Sequence, residues 1–410
     1  MQEKIVVTGM GAVTPIGIGV DTFWDNLISG KCGIEKITRY DVTDWPVQIA
    51  GEVKDFHPEE IIGKKLMKEM DLFMQYAFVA AEEALKDQDL QTEPERIGIV
   101  LGTAFNGVST LASTQDELSR GVHSKVSPRF IPKIIGNIGA AQIAIAKGFR
   151  GPSITVETAC SSGGDAISQA AMILKSGMAD VVLAVGAEAA LCPVIVQGLV
   201  GARALSTNNE HPELSSRPFD QDRDGFVIGE GGGCIILETE EHAKKRNAKI
   251  YAELAGVANS TDGYHVTSPH PEGIGAAFCM EKSMEMAGCQ PTDVDYINTH
   301  GTSTHLGDTI EVNAIKKVFG EHAYQMSISS TKGSTGHLMG AGGVVETIAC
   351  IQAVRTGVVP PTHGLYHPDP ECDLDFTPIN AVKKEINVAM SNSFGFGGQN
   401  SSVIVRKYHE

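Results

Sequence analysis

Short apolar runs alternate with longer runs at helical spacing along almost the whole 410-residue chain, the pattern of an α/β protein with sheets covered on both faces. Ile97-Gly98-Ile99-Val100-Leu101, Asp180 to Val185 and Gly233-Cys234-Ile235-Ile236-Leu237 predict strands, and their near-continuous apolar character suits a buried sheet. Gln75 to Leu85 and Asp165 to Leu174 are rich in Ala, Ile and Met at helical spacing and predict core helices. Lys4 to Pro15 opens with a strand running into small residues, and Lys249 to Val257 opens the later part of the chain similarly. That echo points to an internal repeat with a boundary near residue 250. No Pro-rich or Ser-rich linker separates the two parts, so they are expected to pack into one globule.

Composition narrows the function classes. Cys32, Cys160, Cys192, Cys234, Cys279, Cys289, Cys350 and Cys372 form no CxxC pair and no metal-ligand spacing, which fits reduced thiols in a cytoplasm better than a disulfide framework or a zinc site. The N-terminus lacks the layout of a signal peptide, and no run of about 18 apolar residues predicts a membrane span. A formal net charge of −17 argues against nucleic acid as a general partner. The glycine clusters at 229–233, 340–343 and 395–398 lack both nucleotide-binding layouts. Lys64, Lys65 and Lys68 stand out as a local basic run, either a solvated helix face or a docking patch.

Cys160 lies in Val156-Glu157-Thr158-Ala159-Cys160-Ser161-Ser162-Gly163-Gly164, between a β-rich run and a helix-like run. A thiol at a helix N-terminus meets unpaired N–H groups and the positive dipole end, so it is expected to favour thiolate and act as a nucleophile. Far downstream, His300 and His337 sit among Gly and Thr, in turn-forming surroundings that let a side chain face a cleft. A thiol could hold an acyl group as a thioester, while two neutral imidazoles could donate N–H bonds to an enolate oxygen.

In chain order, Thr158 to Ser162, Arg217-Pro218-Phe219-Asp220, Arg223 to Val227, Asn298 to Thr304, Lys332 to His337 and Asn392 to Gly398 resemble the motifs of the β-ketoacyl-acyl carrier protein synthases. The match is to the elongating type II class of the thiolase-like superfamily, and it spans essentially the whole chain. It implies a thiolase-like five-layered αβαβα fold of two pseudo-repeated halves. Residues 1–250 would carry Cys160, and residues 251–410 would carry His300 and His337. It further implies a cytoplasmic homodimer that performs decarboxylative Claisen condensation of an acyl thioester with malonyl-acyl carrier protein, without redox cofactor or metal. The His-His pair points to elongation, because the initiating type carries His-Asn.

The same resemblance sets Lys332 beside the histidines and pairs Glu346 with it. It gives Phe396 an oxyanion-hole N–H and a gating ring, and it assigns Thr302 and Thr304 to the phosphopantetheine arm. Val108 would line the distal acyl pocket across a dimer interface. Plainer roles stay open for these residues: an exposed lysine, turn threonines, a core phenylalanine, a structural valine. Because acyl carrier proteins are acidic, docking on an acidic enzyme requires a positive patch, for which Lys64, Lys65 and Lys68 are the candidates. Lys125, Arg129 and Lys133 form a second possible cluster.

Two departures from the family pattern are Glu69, where a basic residue is common, and Ser162-Gly163-Gly164-Asp165 after the nucleophile. Three rivals share part of the pattern. A polyketide ketosynthase would keep every catalytic residue. A non-catalytic chain-length partner would lack Cys160, and a biosynthetic thiolase would carry a late second cysteine where Phe394 and Phe396 stand.

Overall fold

A computed structural model describes residues 3–122 and 126–409. Its largest sheet is eleven-stranded, with ten strands on one path and the short Gly17–Ile18 strand hung on the first. The ten are β1 (Ile5–Thr14), β2 (Ile97–Gly102), β3 (Ser153–Val156), β4 (Val181–Glu188), β5 (Gly231–Thr239), β6 (Ala252–Thr261), β7 (Tyr296–Asn298), β8 (Ser327–Ser329), β9 (Val388–Gly395) and β10 (Gln399–Arg406). Their order is β8-β7-β9-β10-β6-β1-β5-β4-β2-β3. Read outward from the centre, each half therefore runs first, fifth, fourth, second, third strand. The senses match too. In each half the second strand is parallel to the third and fourth, and the fifth is antiparallel to the fourth and first. The halves meet where β1 and β6 pair antiparallel, Ile5 opposite Leu254.

Period-2 alternation in the central strands sorts side chains into separate cores. Val181, Leu183, Val185 and Ala187 of β4 join an outer cluster with helix α1 (Leu72–Ala84) and Ala140 and Ile143 of α2 (Asn137–Lys147). Val182 and Ala184 face the other way, into a central cluster shared with α3 (Ser162–Lys175) and α6 (Gly342–Thr356). The outer face of the second half packs on α4 (Ile274–Ala287) and α5 (His305–Phe319). The result is helices, sheet, helices, sheet, helices, the αβαβα arrangement. Among the sequence-read elements, α1 begins at Leu72, capped by the Asp71 side chain accepting from the Phe73 N–H, and the strand read from Lys249 begins only at Ala252.

The two middle helices start almost in backbone contact. A Cβ on Gly343 would lie 2.4 Å from the Gly164 nitrogen, and one on Gly163 would lie 2.9 Å from both the Gly340 oxygen and the Val344 nitrogen. Each helix is entered through a 3-10 turn, Ala159–Ser161 or Met339–Ala341, whose first residue has positive φ, +52° at Ala159 and +47° at Met339. For residues with a Cβ this conformation is uncommon, and only surrounding packing maintains it.

Gly343→Ala should therefore lower stability by about 1–3 kcal/mol in urea titration, because the clash is with backbone that cannot rotate away. Gly198→Ala, facing open space within the Pro193–Gly201 helix, should leave stability unchanged or raise it by up to about 1 kcal/mol.

Candidate active site

Four chain segments converge, three of them following strands of the parallel ladders, where α/β folds place their ligands. Cys160 follows β3, His300 follows β7, His337 follows β8, and Phe396 lies in the turn between β9 and β10. The Cys160 Sγ and one nitrogen from each imidazole lie within 4.8 Å of one another. The His300 and His337 rings stand edge to face, with centroids 5.2 Å apart. The edges of Phe226 against His337 and Phe394 beside His300 complete an aromatic wall.

Hydrogen bonding fixes the His337 tautomer. Its Nδ1 accepts from the Met339 N–H at 3.3 Å, so in the neutral ring the proton sits on Nε2, which is buried with no partner in the protein. Both imidazoles are held well below the usual histidine range, first by burial and then by the Lys332 charge; His337 adds to the effect on His300. Lys332 is 1% exposed and forms a buried ion pair with Glu346, itself 3% exposed. An imidazole-thiol trio is also a donor set for a soft cation, but the Lys332 charge that disfavours imidazolium opposes a metal ion in the same way.

Cys160 sits in the 3-10 turn just ahead of α3. The expected preference for thiolate is not what this environment gives: burial pushes the thiol up to about 11, opposed by the Phe396 N–H, the Lys332 charge and the residue's own N–H. The Phe396 and Cys160 amides therefore both favour negative charge on the sulfur. The Phe396 ring is 39% exposed and lines the cavity mouth.

Sequence reasoning missed the acids that hold these loops. Glu311 on α5 accepts from the His300 and Gly301 N–H groups at 2.8 and 2.7 Å, and burial raises its carboxyl to about 7. Asp308, one turn earlier, accepts from Phe219 and Ser303 and pairs with the buried Arg223 at 3.5 Å. Glu188, at the end of β4, accepts from Ala104, Phe105 and Gly340 and is likewise raised to about 7 by burial. Two acids at i and i+3 on one face of the helix after the histidine turn were the available signal.

A cavity of about 630 Å³ opens onto Cys160, His300 and His337, with Phe105, Leu199 and Phe226 among its apolar lining. Thr302 and Thr304 line it as well, their hydroxyls 3.2 Å apart. Val108 does not line it: this residue starts the helix Val108–Ser119, half-buried, while Ala104 and Phe105 provide the wall before it. Lys64, Lys65 and Lys68 are exposed, without an ion-pair partner among the described residues. Glu69 instead pairs with Arg129, joining the two basic clusters while neutralising part of the second. Lys133 is half-buried, and Lys125 lies outside the described residues.

Residues 2–243 match the family description "Beta-ketoacyl synthase, N-terminal domain", and residues 251–366 match its C-terminal domain. The chain belongs to the β-ketoacyl synthase family. Among similar β-ketoacyl synthases, the 3-oxoacyl-[acyl-carrier-protein] synthase 2 of Coxiella burnetii is 44% identical over 409 residues, covering 99% of both chains. That of Synechocystis is 43% identical over 410 residues, again covering 99% of both. A β-ketoacyl synthase from Burkholderia phymatum superposes with a TM-score of 0.92 at 32% identity, covering 99% of this chain and 100% of that one. A type II polyketide ketosynthase solved with its acyl carrier protein and a hexaketide gives 0.92 at 32%, covering 100% of each chain.

Alkylation of Cys160 by iodoacetamide should keep accelerating with pH beyond about 9, where an ordinary cysteine levels off. Removing the Lys332 charge favours thiol over thiolate and imidazolium over imidazole. In Lys332→Met/Glu346→Gln, which avoids a lone buried carboxylate, the alkylation profile should shift to higher pH and the His337 NMR titration should shift upward. Shifts in the opposite direction would show that the Lys332 charge does not govern the site.

Proposed function

We propose that this chain is an elongating 3-oxoacyl-acyl carrier protein synthase acting in fatty acid synthesis. The observation that carries the reading is the thiol and two neutral imidazoles gathered within 4.8 Å at a cavity large enough for an acyl chain. Cys160 attacks the acyl thioester carbonyl, the C–S bond to the carrier breaks, and the thiol proton leaves with the carrier thiol. The Cys160 and Phe396 N–H groups hold the intermediate oxyanion. Malonyl-carrier thioester then loses CO₂, and the resulting enolate oxygen accepts hydrogen bonds from His300 and His337. Its carbon attacks the acyl-Cys160 carbonyl, expelling the Cys160 sulfur, which takes a proton from solvent. The net products are β-ketoacyl-carrier thioester, CO₂ and free carrier.

Lys332, paired with Glu346, keeps both imidazoles neutral in this scheme. Thr302 and Thr304 offer hydroxyls to the amides of the pantetheine arm. Residues 1–250 then supply the nucleophile and 251–410 the enolate donors. A reducing cytoplasm suits an enzyme that depends on a free thiol. The homodimer is supported by the unpaired edge of β3 and by the exposed Ile131, Ile135, Ile145 and Ile154 along the same stretch of chain. It would bring Val108 toward the partner's acyl pocket. The polyketide ketosynthase among the structural relatives supports a second reading, at 32% identity against 44% for the 3-oxoacyl-[acyl-carrier-protein] synthase 2 of Coxiella burnetii. Elongation assays across acyl lengths separate the two.

Release of labelled CO₂ from malonyl-carrier thioester tests the division of roles. Cys160→Gln should abolish condensation yet retain decarboxylation. His337→Ala should lose decarboxylation by roughly 100- to 1000-fold, the usual effect of removing one donor to a developing oxyanion. The reverse pattern would overturn the separate tasks of thiol and imidazoles. For docking, Lys64, Lys65 and Lys68 all changed to Glu should weaken carrier-protein binding and flatten its salt dependence while sparing small pantetheine-like thioesters. Equal loss with both substrate types would make the run structural.

A further inference from the structure

Cys160 contributes its N–H from the first half of the molecule, and Phe396 contributes its N–H from the second, so their spacing depends on a link between the halves near both. Asp165, part of the unusual Ser162-Gly163-Gly164-Asp165 stretch, occupies that place. It lies on the first turn of α3, 8% exposed, with no cationic partner among the described residues. Its Oδ2 accepts from the hydroxyls of Thr158 and, at 3.1 Å, Ser161, the residues on either side of the Ala159-Cys160 pair. Its Oδ1 accepts from the Asn259 amide on β6, and Asn259 is paired with Ser401 of β10. Gly164 admits this approach, since a Cβ there would lie 2.5 Å from the Ser401 oxygen. β10 itself begins at Gln399, directly after the turn that carries the Phe396 N–H.

We infer that Asp165 is a positioning residue that braces the nucleophile turn against the β6–β10 pair and thereby sets the spacing of the two oxyanion donors. The inference rests on the assignment of Cys160 as nucleophile. The donors arriving at Asp165 demand an acceptor-only group, and a carboxylate provides one where an amide would turn an N–H toward a hydroxyl. Burial disfavours a carboxylate without a cation, and this set of neutral donors offsets that penalty. The turn it grips contains Ala159 at φ +52°, a conformation that relaxes if its anchors are lost. Donor misplacement on the order of 1 Å is enough to cost about 100-fold in rate. His300 and His337 are anchored elsewhere, by Glu311 and by the Met339 N–H. Decarboxylation should therefore be far less sensitive to this brace than acylation.

The test compares single-turnover acylation by an acyl-carrier thioester with decarboxylation of malonyl-carrier thioester, using wild type, Asp165→Ala, Asp165→Asn and Thr158→Val. In wild type, peptide mass mapping should find the acyl group on Cys160. Asp165→Ala should slow acylation by roughly 30-fold or more with little change in KM, and Asp165→Asn and Thr158→Val by roughly tenfold. Malonyl decarboxylation should change by less than about threefold in all of them. If Asp165→Ala does not fold, the two near-isosteric variants carry the same comparison. Unchanged acylation, or equal loss of both half-reactions, overturns the brace while leaving the nucleophile in place. Wild-type acylation at another residue overturns the nucleophile assignment and the brace with it.

Discussion

The structure depends on the close meeting of its two middle helices. Their first turns approach until backbone touches backbone, which glycine at 163 and 343 permits and any larger residue would prevent. From that contact the rest follows in sequence. Each half delivers its third strand toward a 3-10 turn and then a middle helix. Bringing the helix starts together therefore brings together the segment holding Cys160 and the segment holding His337. Both helix N-termini also turn their positive dipole ends toward the same small volume. Negative charge developing in that volume, as the proposed reaction requires, gains favourable field from the scaffold before any side chain acts.

Burial then sets the protonation states. The two imidazoles are desolvated beside Lys332, so they remain neutral and keep an N–H to donate. The lysine's own charge is tolerated because Glu346 meets it in a buried pair. The same desolvation works against the Cys160 thiolate, and only the amides of Phe396 and Cys160 and the Lys332 charge oppose it. Negative charge on the Cys160 sulfur is thus supported only by groups aimed at that charge.

Buried carboxylates perform much of the holding. Glu311 fixes the His300 loop, Asp308 ties Phe219 and Ser303 to Arg223, and Glu188 gathers Ala104, Phe105 and Gly340. Asp165 does the same for the turn at Cys160. Each accepts backbone or hydroxyl donors that irregular chain would otherwise leave unpaired in the interior. Loops can run through the centre of this molecule because these acceptors are there.

Much of this was legible in the amino-acid order. Apolar runs without a polar side marked the central strands, since a sheet covered on both faces has no use for alternation. Cys160, His300 and His337 were nameable from local motifs, because their chemistry and turn setting are local properties, whereas Lys332, Glu346 and Phe396 came only with the family resemblance. Element edges were less so: α1 starts earlier than its apolar spacing indicated, owing to the Asp71 cap. What the order of residues could not supply was distance and dielectric. The repeated strand order arises from pairings between residues far apart in the chain, as where Ile5 meets Leu254. The thiol's rise to about 11 reflects enclosure by four separate segments and overrode the helix-start argument. Glu311, Glu188 and Asp308 went unread in the sequence, because their role arises only when folding removes their water. Local sequence determined which groups were available, and tertiary structure decided which of them met and in what charge state, because burial and long-range pairing exist only once the chain has closed on itself.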